Sequence, residues 1–188
     1  MEKENGMDTF IEVARRVGAE VVCPKTVGEA VRYIASRAGG SVLLPRFASG
    51  ERLGLEEEFR KAGCEVIGGP FAADVAKGAA AGVTGANFAI ADTGTLVLES
   101  TDETLRLATT LPEKHFALLD RSKIVADALE AVPHLRTMQA ARPATYTAYI
   151  SGPSRTADIE RVLTIGVHGP KQLHILLVEG LSDNFQEA

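Results

Sequence analysis

The chain is poor in cysteine, and this excludes one class of redox and metal protein. Only two of its 188 residues are cysteine, Cys23 and Cys64, and they lie 41 positions apart. An iron–sulfur cluster or a closed zinc site needs several thiolates at short spacing. We therefore expect the chain to hold no cofactor of this kind and its two cysteines to be buried as small apolar side chains.

Long apolar runs and a basic excess are also missing. No stretch approaches eighteen consecutive apolar residues, and the first eight residues are polar and charged, so the sequence predicts neither a membrane span nor a signal peptide. The formal net charge is −5, which provides no broad basic surface for nucleic-acid phosphates. We expect a cytoplasmic protein that neither binds nucleic acid nor inserts into a membrane.

What is present is the composition of an ordinary globular protein, with 45% apolar and 24% charged residues. A chain of this length buries well over half of its unfolded surface in one core. We expect a single domain over residues 1–188, with frayed ends at 1–8 and 182–188.

Short apolar runs alternate with helical patterns in the first third of the chain. Strands are predicted at Ala19 to Cys23, Ser41 to Leu44 and Cys64 to Ile67. The helices among them include two with capping boxes, Thr9 with Glu12 and Thr26 with Glu29. This alternation is typical of βαβ units, and it predicts a largely parallel sheet.

The middle of the chain departs from this alternation. The run Asn87 to Ala91, a turn and the run Thr95 to Leu98 predict a hairpin, and hence at least one antiparallel pair. Later strands and helices resume the alternation. We expect a strand over Phe116 to Leu119, a helix over Ser122 to Ala131 and a short helix over Thr156 to Val162. The predicted fold class is α/β, as a three-layer α/β/α sandwich with a mostly parallel mixed sheet.

The first candidate binding segment is the turn of this hairpin, Asp92, Thr93, Gly94 and Thr95. Ligands of open α/β sheets bind beyond strand ends. Glycine permits a close backbone approach, and the polar side chains offer donors and acceptors. The same residues are also common in ordinary hairpin turns, and this alternative stays open.

The second candidate segment runs from Gly152 to Glu160, where a strand is expected to lead into a helix. Unpaired N–H groups at that helix start, with Ser154, Arg155 and Thr156, would bind a carboxylate or phosphate. Gly152 and Asp158 complete the candidate set. In the alternative, this is a capped helix with Arg155 paired to Asp158 or Glu160.

Three side chains are weak candidates for catalysis. His168 lies in a turn-rich loop and could bind substrate or transfer a proton, or it could bond only to loop backbone. Glu99 or Asp92 could act as nucleophile or base, although such carboxylates are more often solvated. The four histidines show no metal-ligand spacing, so no metal site is predicted.

Three segments resemble hallmark segments of the LUD-domain family, in its lactate-utilisation protein C branch. They are GANFAIADTGTLVLE from Gly85 to Glu99, GPSRTADIE from Gly152 to Glu160, and GVHGP from Gly166 to Pro170. The resemblance covers about Phe10 to Glu179, and it implies a fold similar to that of sugar-phosphate isomerases and coenzyme A transferases.

The same resemblance implies a role in oxidising L-lactate to pyruvate with two partner proteins. The iron–sulfur clusters would belong to those partner subunits, and this chain would be an accessory subunit that binds a small carboxylate or phosphate. Two alternatives stay open: a stand-alone enzyme of isomerase or coenzyme A transferase type, and a regulatory protein that binds a metabolite without turnover.

Overall fold

The computed structural model describes residues 2–141, 144–157 and 164–187. The helices are α1 (Glu2–Arg16), α2 (Val27–Ala38), α3 (Ala48–Arg52), α4 (Leu55–Lys61), α5 (Ala73–Gly78), α6 (Glu103–Thr110) and α7 (Ala128–Ala141). The strands are β1 (Glu20–Val22), β2 (Val42–Leu44), β3 (Val66–Gly68), β4 (Ala81–Gly85), β5 (Phe88–Ile90), β6 (Thr95–Glu99), β7 (Lys114–Asp120), β8 (Ile124–Val125), β9 (Thr147–Ile150), β10 (Arg155–Thr156), β11 (Thr164–Ile165) and β12 (Gln172–Val178).

A six-stranded parallel sheet forms the centre of the molecule, in the order β1-β12-β7-β4-β2-β3. Its strands are continuous apolar runs because both faces are covered. Phe116 and Leu118 of β7 face a core formed with α2 and α4. Ala117 and Leu119 face the opposite core, which includes α1. The predicted α/β class and parallel sheet are confirmed.

The predicted hairpin is present as β5 and β6, which pair antiparallel. It belongs to a second, four-stranded sheet in the order β8-β5-β6-β9, separate from the parallel sheet. Ala89, Leu96 and Leu98 pack toward the parallel sheet, while Phe88 and Val97 on the other face contact α7. The antiparallel pair thus forms an additional layer between the parallel sheet and α7.

Several predicted element boundaries are wrong. Helix α1 begins at Glu2, so Thr9 lies inside it and does not cap it, whereas Thr26 caps α2 and accepts a hydrogen bond from the Glu29 N–H. Arg155 and Thr156 form the two-residue strand β10, paired antiparallel with β11. No helix therefore starts at Thr156; the rest of that predicted helix, residues 158–162, lies outside the described residues.

Two expectations about exposure also differ from the structure. Cys23 is exposed and Cys64 is half-buried, and both are free thiols. The sequence predicts that residues 182–188 fray, yet the segment 182–187 is folded onto the protein, and its Glu187 is only 2% exposed. Residues 182–187 are therefore part of the packed structure.

Candidate functional site

All strands of the parallel sheet end at one edge, and a cleft of about 860 Å³ opens there, at the ends of β7 and β12. This volume falls within the range of small-molecule sites, and the carboxyl edge of a parallel sheet is where such folds bind ligands. The cleft is lined by Met7, Arg52, Asp120, Arg121, Ser122, Glu179, Gly180, Ser182 and Asp183.

Asp120, the last residue of β7, organises the floor of this cleft. Its Oδ1 accepts hydrogen bonds from the Ser122 N–H at 2.8 Å and the Ser122 hydroxyl at 2.7 Å. Its Oδ2 accepts from the Ser182 N–H at 2.9 Å. One buried carboxylate therefore fixes both the turn that follows β7 and the segment that follows β12.

Arg121 supplies a partly buried cation to the cleft. Its Nε and Nη2 donate to the backbone carbonyls of Leu177 and Pro24, each at 3.3 Å. Its Nη1 lies 3.7 Å from Glu179, whose side chain is 80% exposed. An ion pair this exposed is weak, so an anionic ligand could replace Glu179 at little cost.

Lys123 follows directly after these cleft residues and is fully buried. Its Nζ donates to Glu187 Oε1 at 2.6 Å. Glu187 Oε2 accepts from the Ser49 N–H at 2.9 Å, and the Glu187 carbonyl accepts from the Ala48 N–H at 2.7 Å. The end of the segment 182–187 is thus bound to groups that follow β2 and β7.

Asn87 and Glu99 lie together at the open end of the β5–β6 hairpin. Asn87 Oδ1 accepts from the Glu99 N–H at 2.7 Å, and Asn87 Nδ2 donates to the Phe185 carbonyl at 2.7 Å. The Glu99 side chain is 5% exposed, and its Oε1 accepts from the Thr101 N–H at 3.0 Å and from the Thr101 hydroxyl. Glu99 is therefore a buried carboxylate and not a solvated one.

The predicted turn at Asp92, Thr93, Gly94 and Thr95 lies at the opposite end of this hairpin, away from the cleft lining. Gly94 has φ +61°, and a Cβ placed there would lie 2.6 Å from the Ala14 backbone nitrogen of α1. Thr95 Oγ1 donates to Thr93 Oγ1 at 2.8 Å. Close packing against α1 requires a glycine at this position, so the glycine is explained without a ligand.

The second predicted segment lies beside that turn. Thr95 Oγ1 and Ser151 Oγ are 2.7 Å apart, which brings the two predicted segments together. A pocket of about 250 Å³ is lined in part by Gly152, Ser154 and His168. The next residues, 155 and 156, form strand β10, so they do not provide the helix N-terminus on which the predicted anion site relied. Asp158 lies outside the described residues.

The same small pocket contacts a buried histidine that the sequence did not single out. His115 is 1% exposed, and its Nε2 lies 2.9 Å from Thr84 Oγ1. Burial, aided by the neighbouring His174, lowers the pKa of His115 to about 4. His115 is thus neutral at pH 7.

No group of three or more His, Cys, Asp or Glu side chains in the described part of the chain is placed to hold a metal ion.

The carboxyl-edge residues carried a signal that sequence reasoning missed. Asp120, Arg121 and Ser122 leave a predicted strand and are of the same polar types as the two candidate segments. Lys123 and Glu187 carried none, because lysine and glutamate are mostly exposed in proteins. Ligand binding by the predicted residues from Thr93 to His168 stays a prediction.

The chain is similar to known proteins in both sequence and fold. The LUD domain family profile matches residues 71–178. Lactate utilization protein C of Bacillus subtilis is 32% identical over 80% of this chain and 68% of its own length. The uncharacterized protein YkgG of Escherichia coli is 30% identical over 95% of this chain and 82% of its own length.

Other relatives match over a shorter region, which covers 42% to 45% of their own lengths. The crystal structure of a DUF162 family protein from Deinococcus radiodurans superposes with a TM-score of 0.69. It is 20% identical, and the match covers 95% of this chain and 99% of that one. This likeness supports the fold described above.

Within the described residues, no helix has both the length and the apolar character to cross a bilayer.

Proposed function

The chain belongs to the LUD-domain family, and from this we propose that it serves lactate utilisation as a subunit without a redox centre, binding a small carboxylate or phosphate. The name of the Bacillus subtilis relative supports the process. Two cysteines cannot supply the four thiolates of an iron–sulfur cluster. We therefore assign electron transfer to iron–sulfur partner subunits.

The observation that carries the ligand proposal is the cleft at the ends of β7 and β12. Arg52 and Arg121 both line this open volume, and Arg121 Nη1 lies 3.7 Å from the exposed Glu179 carboxylate. A guanidinium group is a donor that suits carboxylate and phosphate oxygens. We propose that the ligand anion takes the place of the exposed Glu179 carboxylate beside Arg121.

The ligand proposal is tested by calorimetric titration of L-lactate, pyruvate and inorganic phosphate into wild type, Arg121→Gln and Arg155→Gln. We expect Arg121→Gln to weaken binding by about tenfold or more, the effect of losing one charge-assisted hydrogen bond. Arg155→Gln is the matched control, since it makes the same change outside the cleft. Thermal unfolding of each variant checks that the fold is intact.

The reverse result, weak binding by Arg155→Gln and normal binding by Arg121→Gln, would move the site to the small pocket near His168. The subunit proposal is tested separately, by whether lactate-dependent electron transfer by the iron–sulfur partners requires this chain. Turnover of sugar phosphates or coenzyme A esters by the purified chain alone, lost in Glu99→Gln, would replace it with a stand-alone enzyme.

A further inference from the structure

The buried ion pair between Lys123 and Glu187 has an unusual arrangement. Lys123 belongs to the turn directly after β7, at the centre of the parallel sheet, while Glu187 ends a segment with neither helix nor strand. Their side chains are 0% and 2% exposed. A buried ammonium group requires an anionic partner, and here a segment without regular structure provides it.

The segment 182–187 is held by a small set of contacts. Ser182 and Phe185 are hydrogen-bonded to Asp120 and Asn87, and the Phe185 ring stacks on His134 at a centroid distance of 3.8 Å. Segments outside helices and sheets open at a lower free energy than the core. None of these contacts belongs to the pairing of β7 with β4 and β12, so the segment could open without breaking the parallel sheet.

Detachment would leave a preformed set of donors. It contains the Lys123 ammonium, the backbone N–H groups of Ala48 and Ser49, and the Asn87 amide, each now bonded to residues 185–187. The buried Ser49 hydroxyl oxygen, on the same residue as one of these N–H donors, has no hydrogen-bond partner among the described residues. This is a set suited to a carboxylate.

Gly85 leaves the space in which the carboxylate lies. A Cβ at this position would be 3.3 Å from Glu187 Oε2 and 2.7 Å from the Phe47 ring. Gly85 is the last residue of β4, so the space lies at the carboxyl edge of the sheet. Ser182 and Asp183, at the other end of the segment, line the 860 Å³ cleft. One end of the segment thus lines the cleft, and its other end is bonded to Lys123 and Ser49.

We propose that Lys123 and Ser49 form a carboxylate-binding site that Glu187 occupies from within the chain, and that an acidic ligand binds there by displacing residues 182–187. This rests on the proposed function only for the choice of ligand, and it adds a second carboxylate site, separate from the one beside Arg121. Glu187 acts as an internal competitor, so the apparent affinity of the site is reduced by the fraction of molecules in which the segment is closed.

The experiment uses acetate, the simplest carboxylate probe, with Glu187→Ala in the full chain. Glu187→Ala loses the internal partner of Lys123, so we expect it to unfold at lower temperature than wild type and to be restabilised by millimolar acetate. The exposed Glu65→Gln is a control that also removes one negative charge. Its unfolding temperature should respond to acetate as that of wild type does.

A double variant keeps the test valid if Glu187→Ala does not fold. Lys123→Met/Glu187→Met replaces the pair by apolar side chains, which buried pairs often tolerate, and it should fold without responding to acetate. In wild type, hydrogen exchange of residues 182–187 should become faster on binding L-lactate or pyruvate, and both ligands should bind Glu187→Ala about tenfold more tightly.

Three outcomes separate the two proposals. Acetate rescue without binding of lactate or pyruvate would retain the Lys123 site and remove the lactate ligand. Ligand binding with equal affinity in wild type and Glu187→Ala, with slow exchange throughout 182–187, would overturn the internal competitor and leave the cleft at Arg121 as the site. An acetate response equal in the double variant and Glu187→Ala would also overturn it.

Discussion

At the scale of single residues, the buried histidine His115 makes stability depend on pH. Its pKa lies near 4 in the folded chain and near 6.5 in the unfolded chain, mainly because burial disfavours the imidazolium. Between these values the unfolded state binds more protons, so the free energy of unfolding falls as the pH falls. The contribution of neutral His115 to the free energy of unfolding is therefore complete above about pH 6.5, and it is lost progressively as the pH falls toward 4.

The pKa difference of His115 corresponds to about 3 kcal/mol of unfolding free energy. We predict that His115→Gln removes at most this much of the stability loss in acid. Urea unfolding of the variant between pH 4 and 7.5 should show a shallower slope than wild type. Burial also lowers the pKa of His174, so part of the slope should remain. The exposed His168→Gln is the control, and an equally reduced slope in that variant would contradict the assignment to His115.

Residue burial also explains which site residues the sequence could indicate. Arg121 and Ser122 follow a predicted strand, and their types alone mark them as candidates. The sequence pattern predicts Lys123 on a helix over 122–131, where a lysine would normally be solvated. Only the pairing with Glu187, 64 positions later, makes its burial possible, and local sequence patterns do not contain contacts at this separation.

At the scale of elements, the contact between α1 and the β5–β6 turn depends on Gly94. An alanine there would meet two costs, the positive φ of +61° and a collision with the backbone of Val13 and Ala14. Gly54 has nearly the same φ, +60°, but a Cβ added at Gly54 would have no heavy atom of another element within 4 Å. The two glycines therefore separate the backbone cost from the packing cost.

We predict that Gly54→Ala lowers the free energy of unfolding by about 1 kcal/mol, the cost of the left-handed conformation. Gly94→Ala should lower it by about 3 kcal/mol, because displacing α1 adds an overpacking cost. Denaturant unfolding of both variants measures the difference. Equal losses would mean that α1 does not restrain the turn.

Elements buried on both faces could be predicted from sequence, and the short β10–β11 hairpin could not. The strands near Val42 and Phe116 were found because continuous apolar runs are diagnostic of a parallel sheet. The residues Ser154 and Thr156 suit a helix start, but the same polar side chains occur in tight turns. The β10–β11 pairing that decides between these structures joins residues up to ten positions apart.

At the scale of the whole molecule, β7 and β12 should be the most stable unit. They pair over seven residues in the middle of the parallel sheet, and β7 is also paired with β4. Amides at such positions exchange with solvent only on global unfolding. The β10–β11 hairpin has two-residue strands, and the segment 182–187 has no regular structure.

We predict that hydrogen exchange of β7 and β12 is at least about 100-fold slower than that of the hairpin and of residues 182–187. Exchange followed by mass spectrometry at neutral pH measures all three regions in one experiment. Similar protection in all of them would indicate that the molecule opens only as one unit. That result would also count against the independent release of 182–187.

The β5–β6 hairpin has a consequence for motif searches. Its turn meets α1, while its open ends carry Asn87 and Glu99 toward the carboxyl edge. Five residues of strand separate these places by about 15 Å. The stretch from Gly85 to Glu99 therefore combines two separate requirements: packing of the turn against α1, and placement of Asn87 and Glu99. A search pattern built from the whole stretch will miss chains that keep Asn87 and Glu99 but pack the turn differently.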